Sequence, residues 1–269
     1  MNTVHDKTSS VHKVGFISPP AWFDISPTEF LRITPERTIT LQTIIRPHDF
    51  GYKREDFIQS VTELQICYDS LNAAGADVVA QFGFPFSLFH GWEKAVQIQQ
   101  EIAHRGNAHF IMMGIGVIDA LKHLGCTSIA IASTYYSGEM FKILSDFLTE
   151  SGINVFNNEN LQSQKLSDMN SDLFVGEGNR DPFAWEIPLD AVKTAVRNVN
   201  RQVPEADGIL VPGGGMRVLD IVDSLEEEIK KPVIGGDITL YWGILSRLNI
   251  KKKLSGYGQL LASFECSTS

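Results

Sequence analysis

The chain has 269 residues, of which 43% are hydrophobic and 20% charged, and its formal net charge is −9 at pH 7. This composition excludes a disordered tail, and the acidic charge argues against general binding to nucleic acid or acidic membranes. The longest apolar runs, such as 110–117, are too short to span a bilayer, and the polar residues 1–12 contain no signal-peptide pattern. We therefore expect a cytoplasmic protein with no nucleic-acid or membrane partner.

Short runs of β-branched and aromatic residues alternate with amphipathic segments of helical length along the chain. In chain order, the predicted strands are 14–18, 38–45, 77–81, 109–113, 128–133, 153–156, 208–211 and 233–235. The predicted helices are 54–74, 92–104, 116–124, 139–151, 188–201, 218–229 and 240–248. This alternation is typical of βαβ units and predicts an α/β fold with parallel sheets.

Two stretches of the chain repeat each other. Residues 76–83 and 206–213 each run Ala-Asp, a short apolar segment and Gly, and the strands predicted upstream, 14–18 and 128–133, both end in Ser. The repeat predicts two pseudo-symmetric Rossmann-like halves, each with a mainly parallel four-stranded sheet flanked by helices. Loops at the carboxyl ends of parallel strands form ligand crevices, so we expect the active cleft between the halves.

These patterns divide the chain into three parts. The first α/β half spans 13–120 and the second spans 121–236, while 237–269 form a C-terminal helix and tail whose helix we expect to pack on the first half. The second half contains an inserted loop, 157–187, rich in Asn, Ser, Asp and Gly. A loop of this length is typical of a lid or an interface element, and its aromatic residues, including Trp185, give it apolar surface to bury.

A glycine-rich turn follows the predicted strand 208–211. Gly213, Gly214 and Gly215 are followed by Met216 and then by a predicted helix. Successive glycines expose backbone N–H groups, and a helix N-terminus adds positive potential, so the turn predicts binding of a phosphate or a small carboxylate. It has neither the spacing of a dinucleotide fingerprint nor the Lys-Ser/Thr of a P-loop, and a merely tight turn is the alternative.

The matching loop of the first half is apolar. It begins with Gly83, Phe84 and Pro85 and continues through Phe86 to Phe89. Clustered aromatic residues at a strand exit indicate an apolar pocket wall, although core packing alone explains one or two of them.

The other two strand exits carry hydroxyl groups and prolines. Ser133, Thr134 and Tyr135 end one predicted strand and supply hydroxyl donors, with Tyr135 placed either to contact a ligand or to pack under a lid. Ser18 and Pro19 stand at the matching exit of the first half, where proline makes the chain rigid and removes competing N–H donors.

Asp237 is the one carboxylate that stands out near the predicted site. It follows two glycines at the start of the last helix, where it is a candidate for catalysis or ligand binding, and the alternative is an ordinary helix N-cap. The histidines at 90, 104, 109 and 123 lack the spacing of zinc ligands, so we expect no metal.

The three cysteines are Cys67, Cys126 and Cys266. None lies in a CxxC pair, and their odd number is typical of reduced thiols in a reducing compartment. We expect Cys67 to be a buried helix residue and none of the three to be a nucleophile.

In their order and spacing, these features resemble the aspartate/glutamate racemase superfamily, closest to its arylmalonate decarboxylase and maleate isomerase branch. The resemblance covers residues 14–248. It lies in Val-Gly-Phe-Ile-Ser-Pro-Pro-Ala from residue 14, Gly-Ala-Asp-Val-Val from 75 with the loop and His-Gly after it, Ala-Ile-Ala-Ser-Thr-Tyr from 130, and Asp-Gly-Ile-Leu from 207 with its glycine turn.

The resemblance implies cofactor-free chemistry at a carbon next to a carboxylate. Racemases of this kind use one Cys from each half as acid and base, the decarboxylase keeps only the second, and the isomerase uses Cys as a nucleophile. In this sequence Gly83 and Gly213 stand at the two positions, and Phe84 and Pro85 replace the hydroxyl donors of the decarboxylase's anion loop. Tyr135 and the amides of the glycine turn remain as oxyanion stabilisers.

We therefore expect a cofactor-independent lyase of decarboxylase type, or an isomerase, that acts on a small carboxylate without cysteine acid/base chemistry. Decarboxylation is favoured because loss of CO2 needs charge stabilisation first and a proton donor only afterwards. The expected catalytic residues are Tyr135 and Asp237, and the expected substrate-binding residues are Ser18, Pro19, Gly83, Phe84, Pro85, Ser133, Thr134, Gly213, Gly214, Gly215 and Met216.

Two alternatives remain open at this stage. One is a non-catalytic protein that binds a small carboxylate, and the other is a hydrolase that uses Asp237 or a His as general base on water. The sequence also leaves open whether the chain is a monomer or a homo-oligomer.

Overall fold

The computed structural model describes residues 11–20, 24–34, 37–46, 50–51, 53–134, 136, 138–166, 187–213 and 216–264. Within these ranges the strands are β1 (His12–Ser18), β2 (Thr38–Ile44), β3 (Val78–Gln81), β4 (His109–Met112), β5 (Ser128–Ser133), β6 (Asn154–Asn160), β7 (Gly208–Val211) and β8 (Val233–Gly235). All the predicted strands are found.

The strands form two parallel sheets with the same internal order. One sheet runs β2-β1-β3-β4 and the other β6-β5-β7-β8, and every described pairing is parallel. The central strands β3 and β7 are fully buried, which explains why they read as continuous apolar runs. The predicted α/β fold of two similar halves is confirmed.

Helices cover both sheets. They are α1 (Ser26–Ile33), α2 (Arg54–Gln59), α3 (Val61–Ala73), α4 (Pro85–Leu88), α5 (Trp92–Ala103), α6 (Met113–His123), α7 (Gly138–Glu150), α8 (Leu189–Gln202), α9 (Val222–Ile229), α10 (Gly236–Arg247) and α11 (Gly258–Ala262). The predicted helix 54–74 is wrong in being continuous, because the chain leaves helical geometry at Ser60.

Three further helix starts differ from the predictions. Helix α9 begins at Val222 and not at 218, whereas α6 and α10 begin directly after β4 and β8, several residues before the predicted starts at 116 and 240. Gly114 and Gly236 allow these two helices to begin in a crowded interior. A methyl group on Gly236, for example, would stand 3.1 Å from the sulfur of Met113.

The repeated Ala-Asp dipeptides have a structural role at the N-terminal ends of the strands, opposite the glycine turns. The Asp207 carboxylate accepts hydrogen bonds from the N–H groups of Thr127 and Ser128 and from the Thr127 hydroxyl, at 2.8–2.9 Å. In the first half, Asp77 accepts a bond from the Lys13 N–H at 2.7 Å. Each carboxylate thus ties the start of one central strand to its neighbour.

The two halves pack closely against each other. Helices α6 and α10, which occupy equivalent places in the two halves, are in contact. Phe84 and Trp92 of the first half pack edge-on against Phe147 of α7, with ring centroids 6.0 and 5.6 Å away. Helix α10 also contacts β3 and β4, and no helix among the described residues is long and apolar enough to cross a membrane.

The inserted segment begins later than the sequence indicated. Residues 154–160 form β6, so the first part of the predicted loop 157–187 belongs to the sheet. Asn side chains fit this edge strand because they bond to their surroundings: Asn158 donates to the Tyr136 carbonyl at 2.8 Å. Residues 167–186 lie outside the described part, so the prediction of a lid or interface there stays a prediction.

Candidate active site

The candidate active site comprises the exits of the four central strands β1, β3, β5 and β7. It contains the predicted residues Ser18 and Pro19, Gly83 to Pro85, Ser133 and Thr134, and Gly213 with Met216. Three predicted residues, Tyr135, Gly214 and Gly215, lie outside the described residues, so their roles stay predictions.

Gly83 and Gly213 adopt the same unusual backbone conformation in the two halves. Their φ angles are +109° and +105°, a region that residues with side chains rarely adopt. A Cβ at Gly83 would stand 2.9 Å from Pro19, and one at Gly213 would stand 3.0 Å from the Thr134 hydroxyl oxygen. The equivalent exits of β1 and β5 therefore crowd the two glycines in the same way.

Gln81 braces the first glycine turn and was missed from the sequence. It is completely buried at the end of β3, and its side-chain amide donates to the carbonyls of Phe82 and Gly83. Because C=O and N–H point in opposite directions in a trans peptide, the Phe84 N–H is directed away from Gln81. A polar residue ending a buried strand was the available signal.

The first glycine turn has two backbone N–H groups that are not used in the described part of the fold. Among the described residues, the N–H groups of Gly83 and Phe84 have no hydrogen-bond acceptor. Pro85 has no N–H to offer. The turn can accordingly offer two N–H groups to an anion.

The aromatic residues of this loop do not form a single wall. Phe84 is buried and lies against Gly114 and Phe147, in the boundary between the halves. Phe86 points instead to Phe57, with ring centroids 5.0 Å apart, and one ring carbon would be 3.4 Å from a Cβ on Gly83. Phe86 is thus the ring beside the glycine.

The hydroxyl groups at the other exits differ in their availability. The Ser18 hydroxyl accepts a bond from Gln42 at 2.5 Å, and the Ser133 hydroxyl donates to Asn158 at 2.8 Å. Thr134 is 2% exposed, yet its hydroxyl oxygen has no hydrogen-bond partner among the described residues. A buried hydroxyl beside a glycine turn and without a protein partner is a natural ligand contact.

Asp237 lies beside the chain segment that follows the second glycine turn. It is not the N-cap of α10, which is Gly235; its Oδ2 instead accepts a bond from the Val218 N–H at 3.0 Å. Its Oδ1 has no partner among the described residues. Burial, and in smaller measure Glu29, raises the pKa of Asp237 against the opposing effect of Arg217, which favours the neutral acid.

Arg217 joins the two halves next to the glycine turns. Its Nε donates to Glu29 Oε2 at 3.0 Å, its Nη2 donates to the same oxygen and to the Tyr241 hydroxyl, and its guanidinium lies 5.8 Å from the Phe82 ring centroid. Burial opposes the charged form, but Tyr241, Asp237 and Glu29 together raise the pKa of Arg217. No local pattern in the sequence indicates this contact.

Neither described cysteine lies in a strand-exit turn. Cys67 on α3 is beside Thr43 and the Ile44 carbonyl at the edge strand β2. Cys126 lies against Gly208, at the opposite end of β7 from Gly213. Burial raises the pKa of both thiols, that of Cys126 to about 11, so both are poor nucleophiles at neutral pH. Cys266 lies outside the described residues.

No group of three or more His, Cys, Asp or Glu side chains in the described part of the chain is arranged to hold a metal ion. Burial lowers the pKa of His90, with Lys94 and Arg54 adding to the effect, so His90 is neutral at physiological pH. The prediction of a metal-free reaction stays a prediction.

Comparisons with known proteins agree with this architecture. An arylmalonate decarboxylase of Bordetella bronchiseptica is 22% identical over 257 residues, which cover 94% of this chain and 97% of that protein. A crystal structure of arylmalonate decarboxylase matches with a TM-score of 0.73 at 20% identity, covering 94% of this chain and all of the other. The maleate isomerase Iso from Pseudomonas putida S16 matches with a TM-score of 0.78 at 17% identity, covering 95% of this chain and 100% of its own.

The two repeated four-stranded sheets form the fold that this chain shares with arylmalonate decarboxylase and maleate isomerase. The family model for arylmalonate decarboxylase matches residues 14–261. The chain belongs to the arylmalonate decarboxylase family.

Proposed function

We propose that this protein is a cofactor-independent lyase that removes CO2 from a small carboxylate substrate and uses no cysteine as acid or base. The observation that carries the proposal is the pair of glycines at positive φ, Gly83 and Gly213, each beside a strand exit of its own half. A substrate placed between two such turns meets backbone and hydroxyl donors and no thiol of the described chain. Membership of the arylmalonate decarboxylase family supports the reaction class.

The first requirement of decarboxylation is an acceptor for negative charge. When the bond to CO2 breaks, its electron pair stays on the α-carbon and spreads into the remaining carboxylate, whose oxygens gain charge. The unpartnered N–H groups of Gly83 and Phe84 and the free hydroxyl of Thr134 are suited to hold those oxygens. We assign the same role to Tyr135, Gly214 and Gly215.

The second requirement is an apolar place for the carboxylate that leaves. A carboxylate in apolar surroundings loses solvation, whereas neutral CO2 does not, so an apolar wall favours the transition state. Phe86 supplies this surface beside Gly83, and Pro19 closes the same turn from the other side. Ser18, Ser133 and Met216 complete the substrate-binding set of the proposal.

The last step is protonation of the carbanion. Asp237 suits this step as an acid, because burial favours its protonated form. A protonated Asp237 cannot accept a proton, which disfavours Asp237, but not a His, as the general base of the hydrolase alternative. Transfer of the Asp237 proton to carbon leaves a carboxylate that regains its proton from solvent, and Tyr135 or water is the other donor to be tested.

A two-stage experiment tests the proposal. A thermal-shift screen of small carboxylates, including arylmalonates and maleate, identifies ligands, and NMR of each hit over hours separates turnover from binding. We expect one hit to lose CO2 and gain one proton at the α-carbon. Formation of a double-bond isomer would make the protein an isomerase, hydrolysis products would make it a hydrolase, and binding without turnover would make it a binding protein; each result overturns the proposal.

The Tyr135→Phe variant tests the proposed role of the Tyr135 phenol in this reaction. A phenol that stabilises an oxyanion in the transition state contributes about a hundredfold or more to turnover. We expect that loss in Tyr135→Phe and a much smaller one in Tyr136→Phe, because Tyr135 is the residue that matches the strand-exit tyrosine of the family. Equal turnover in Tyr135→Phe and the unmodified protein would remove Tyr135 from the mechanism.

A further inference from the structure

Three carboxyl groups surround one buried guanidinium at the boundary between the halves. Glu29 Oε2 accepts two bonds from Arg217, whereas Asp24 and Asp237 each have an oxygen 4.0 Å from a nitrogen of Arg217. All four residues are at most 8% exposed. Three ionised carboxylates beside one cation would leave two uncompensated negative charges in the protein interior, which is strongly unfavourable.

The hydrogen bonds indicate which carboxyl group is the partner of Arg217. Glu29 Oε2 accepts from Nε and Nη2 of Arg217 and also from the Tyr241 hydroxyl at 2.8 Å. One oxygen of Asp24 accepts the Ser26 N–H, and one oxygen of Asp237 accepts the N–H groups of Val218 and Leu219. The other oxygen of each carboxyl group has no partner among the described residues. An unpartnered carboxyl oxygen is where a proton is most easily accommodated.

The first half contains no equivalent of this cluster. Arg217 is the fourth residue after Gly213, and the fourth residue after Gly83 is Ser87. Asp237 is the second residue after β8, and the second residue after β4 is Gly114. Ser87 and Gly114 are in contact, as Arg217 and Asp237 are neighbours. The charged pair is therefore a special feature of the second half, beside the Gly213 turn.

We propose that Glu29, a residue of the first half, keeps Asp237 protonated at neutral pH. Glu29 is the counter-ion of the Arg217 guanidinium, and without Glu29 the ionised carboxylate of Asp237 would take that role. Glu29 acts on Asp237 through Arg217, so it is a positioning residue that holds the proton on the Asp237 carboxyl group. The use of this proton in turnover rests on the proposed function, whereas the protonation state itself does not.

Among the described residues, the charged and titratable groups of this cluster are Asp24 from the loop before α1, Glu29 from α1, Arg217 from the segment before α9, and Asp237 and Tyr241 from α10. Arg32 of α1, which pairs with Asp220, also interacts electrostatically with Glu29. Burial raises the pKa of Tyr241 well above its usual value, so it stays neutral and does not compete for the charge. Changing Glu29 to Gln removes one negative charge while keeping the shape and one acceptor oxygen. Arg217 then loses the carboxylate charge of Glu29, which favours ionisation of the neighbouring Asp237 carboxyl group.

Infrared difference spectroscopy in H2O and D2O measures the proton directly, from the C=O stretching band of protonated carboxylic acids. Asp24→Asn serves as the background, because it leaves Asp237 as the one acid 4.0 Å from Arg217. We expect a band at pH 7 that Asp237→Asn removes, that Glu29→Gln also removes, and that Tyr241→Phe preserves. Tyr241→Phe is the matched control, since it deletes one hydrogen bond to Glu29 and one from Arg217 without changing any charge.

A pH titration gives the second readout. We expect Glu29→Gln to lower the midpoint of the Asp237 band by about one unit or more, the usual effect of an opposite charge on a carboxyl group. If Asp24→Asn does not fold, carboxyl carbon NMR of the 13C-aspartate-labelled, unsubstituted protein reports the same protonation state. Absence of the acid signal at pH 7, or its full retention in Glu29→Gln, would overturn the proposal, whatever the substrate screen finds.

Discussion

At the scale of single residues, the candidate active site is defined by hydrogen-bonding groups that have no partner in the described protein. Gly83 and Gly213 take a backbone conformation that other residues avoid, and Thr134 keeps a buried hydroxyl without a partner. A chain selected for stability alone would satisfy such a group or replace it. Free donors around two glycines therefore indicate a place where something else binds.

Gly83→Ala separates backbone strain from crowding. Gly152 has a similar φ of +92° but no atom within 4 Å of its Cβ position, so Gly152→Ala is the control. We expect Gly152→Ala to lower the free energy of unfolding by about 1–2 kcal/mol through its backbone conformation alone. Gly83→Ala should cost about 1–3 kcal/mol more through its contact with Pro19, as measured by urea unfolding. Equal costs would mean that Pro19 does not crowd this turn.

Thr134→Val distinguishes a ligand contact from a structural hydroxyl. The variant keeps the shape of threonine and removes an oxygen that has no described partner, so we expect the free energy of unfolding to stay the same or to rise. Affinity for the carboxylate ligand from the screen should fall about tenfold or more, the value of one hydrogen bond to a charged group.

Ser133→Ala is the comparison for that result. It removes the bond to Asn158, so it should lower stability by about 1 kcal/mol. A clear loss of stability in Thr134→Val with unchanged ligand affinity would exclude Thr134 from the site.

At the scale of elements, the repeated Ala-Asp dipeptides explain how the two sheets are held in register. Asp207 accepts three hydrogen bonds from the start of β5, and Asp77 accepts one from β1. These bonds lower the pKa of Asp207, chiefly through the Thr127 N–H and the Ser128 and Thr127 side chains. The same dipeptide thus repeats in the sequence because the same strand pair repeats in the fold.

This arrangement predicts unequal costs for two equivalent substitutions. We expect Asp207→Ala to lower the free energy of unfolding by about 1–2 kcal/mol and Asp77→Ala by less, because fewer bonds are lost. Chemical denaturation of both variants measures the difference. If Asp77→Ala is the less stable variant, the number of hydrogen bonds lost does not explain the difference in stability.

The elements also show why prediction from sequence succeeded for strands and less well for helix starts. Most strands are short apolar runs bounded by turn residues, so local pattern is enough to identify them. Strand β6 is the exception, because its second half is rich in Asn and was predicted to be loop. Helices α6 and α10 begin three or four residues before their predicted starts, directly after β4 and β8, and both carry a glycine in their first turn, where the local pattern is a weak guide. The contact of Arg217 with Glu29 joins residues 188 positions apart, and no periodicity connects them.

At the scale of the whole molecule, buried acids make stability depend on pH in a defined direction. Burial is the largest cause that raises the pKa of Asp24 and Asp237, whose usual value is 3.8. Above that pH the unfolded chain releases these protons while the folded chain still holds them. The folded state then binds more protons, so its stability decreases as pH rises towards the folded pKa.

Asp237→Asn removes one of these acids and should weaken that trend. We expect the melting temperature of Asp237→Asn relative to the unmodified protein to increase between pH 4 and pH 8. Asp207→Asn is the control: the pKa of Asp207 is lowered, so its stabilisation is complete above the usual value of 3.8 and is lost only in more acidic solution. The difference in melting temperature for Asp207→Asn should therefore stay nearly constant from about pH 5 to pH 8. A pH-independent difference for Asp237→Asn would mean that Asp237 is ionised in the folded protein.

In the proposed reaction, carbon–carbon bond cleavage occurs between two glycine turns without a thiol or a metal. The most direct measurement is NMR of CO2 release from the carboxylate identified in the screen, with protein dialysed against a chelator and treated in its native state with iodoacetamide. We expect the same rate as for untreated protein, because Cys67 and Cys126 are buried and burial raises the pKa of their thiols. Loss of turnover on alkylation, with protection by substrate, or recovery only on adding a metal would contradict it.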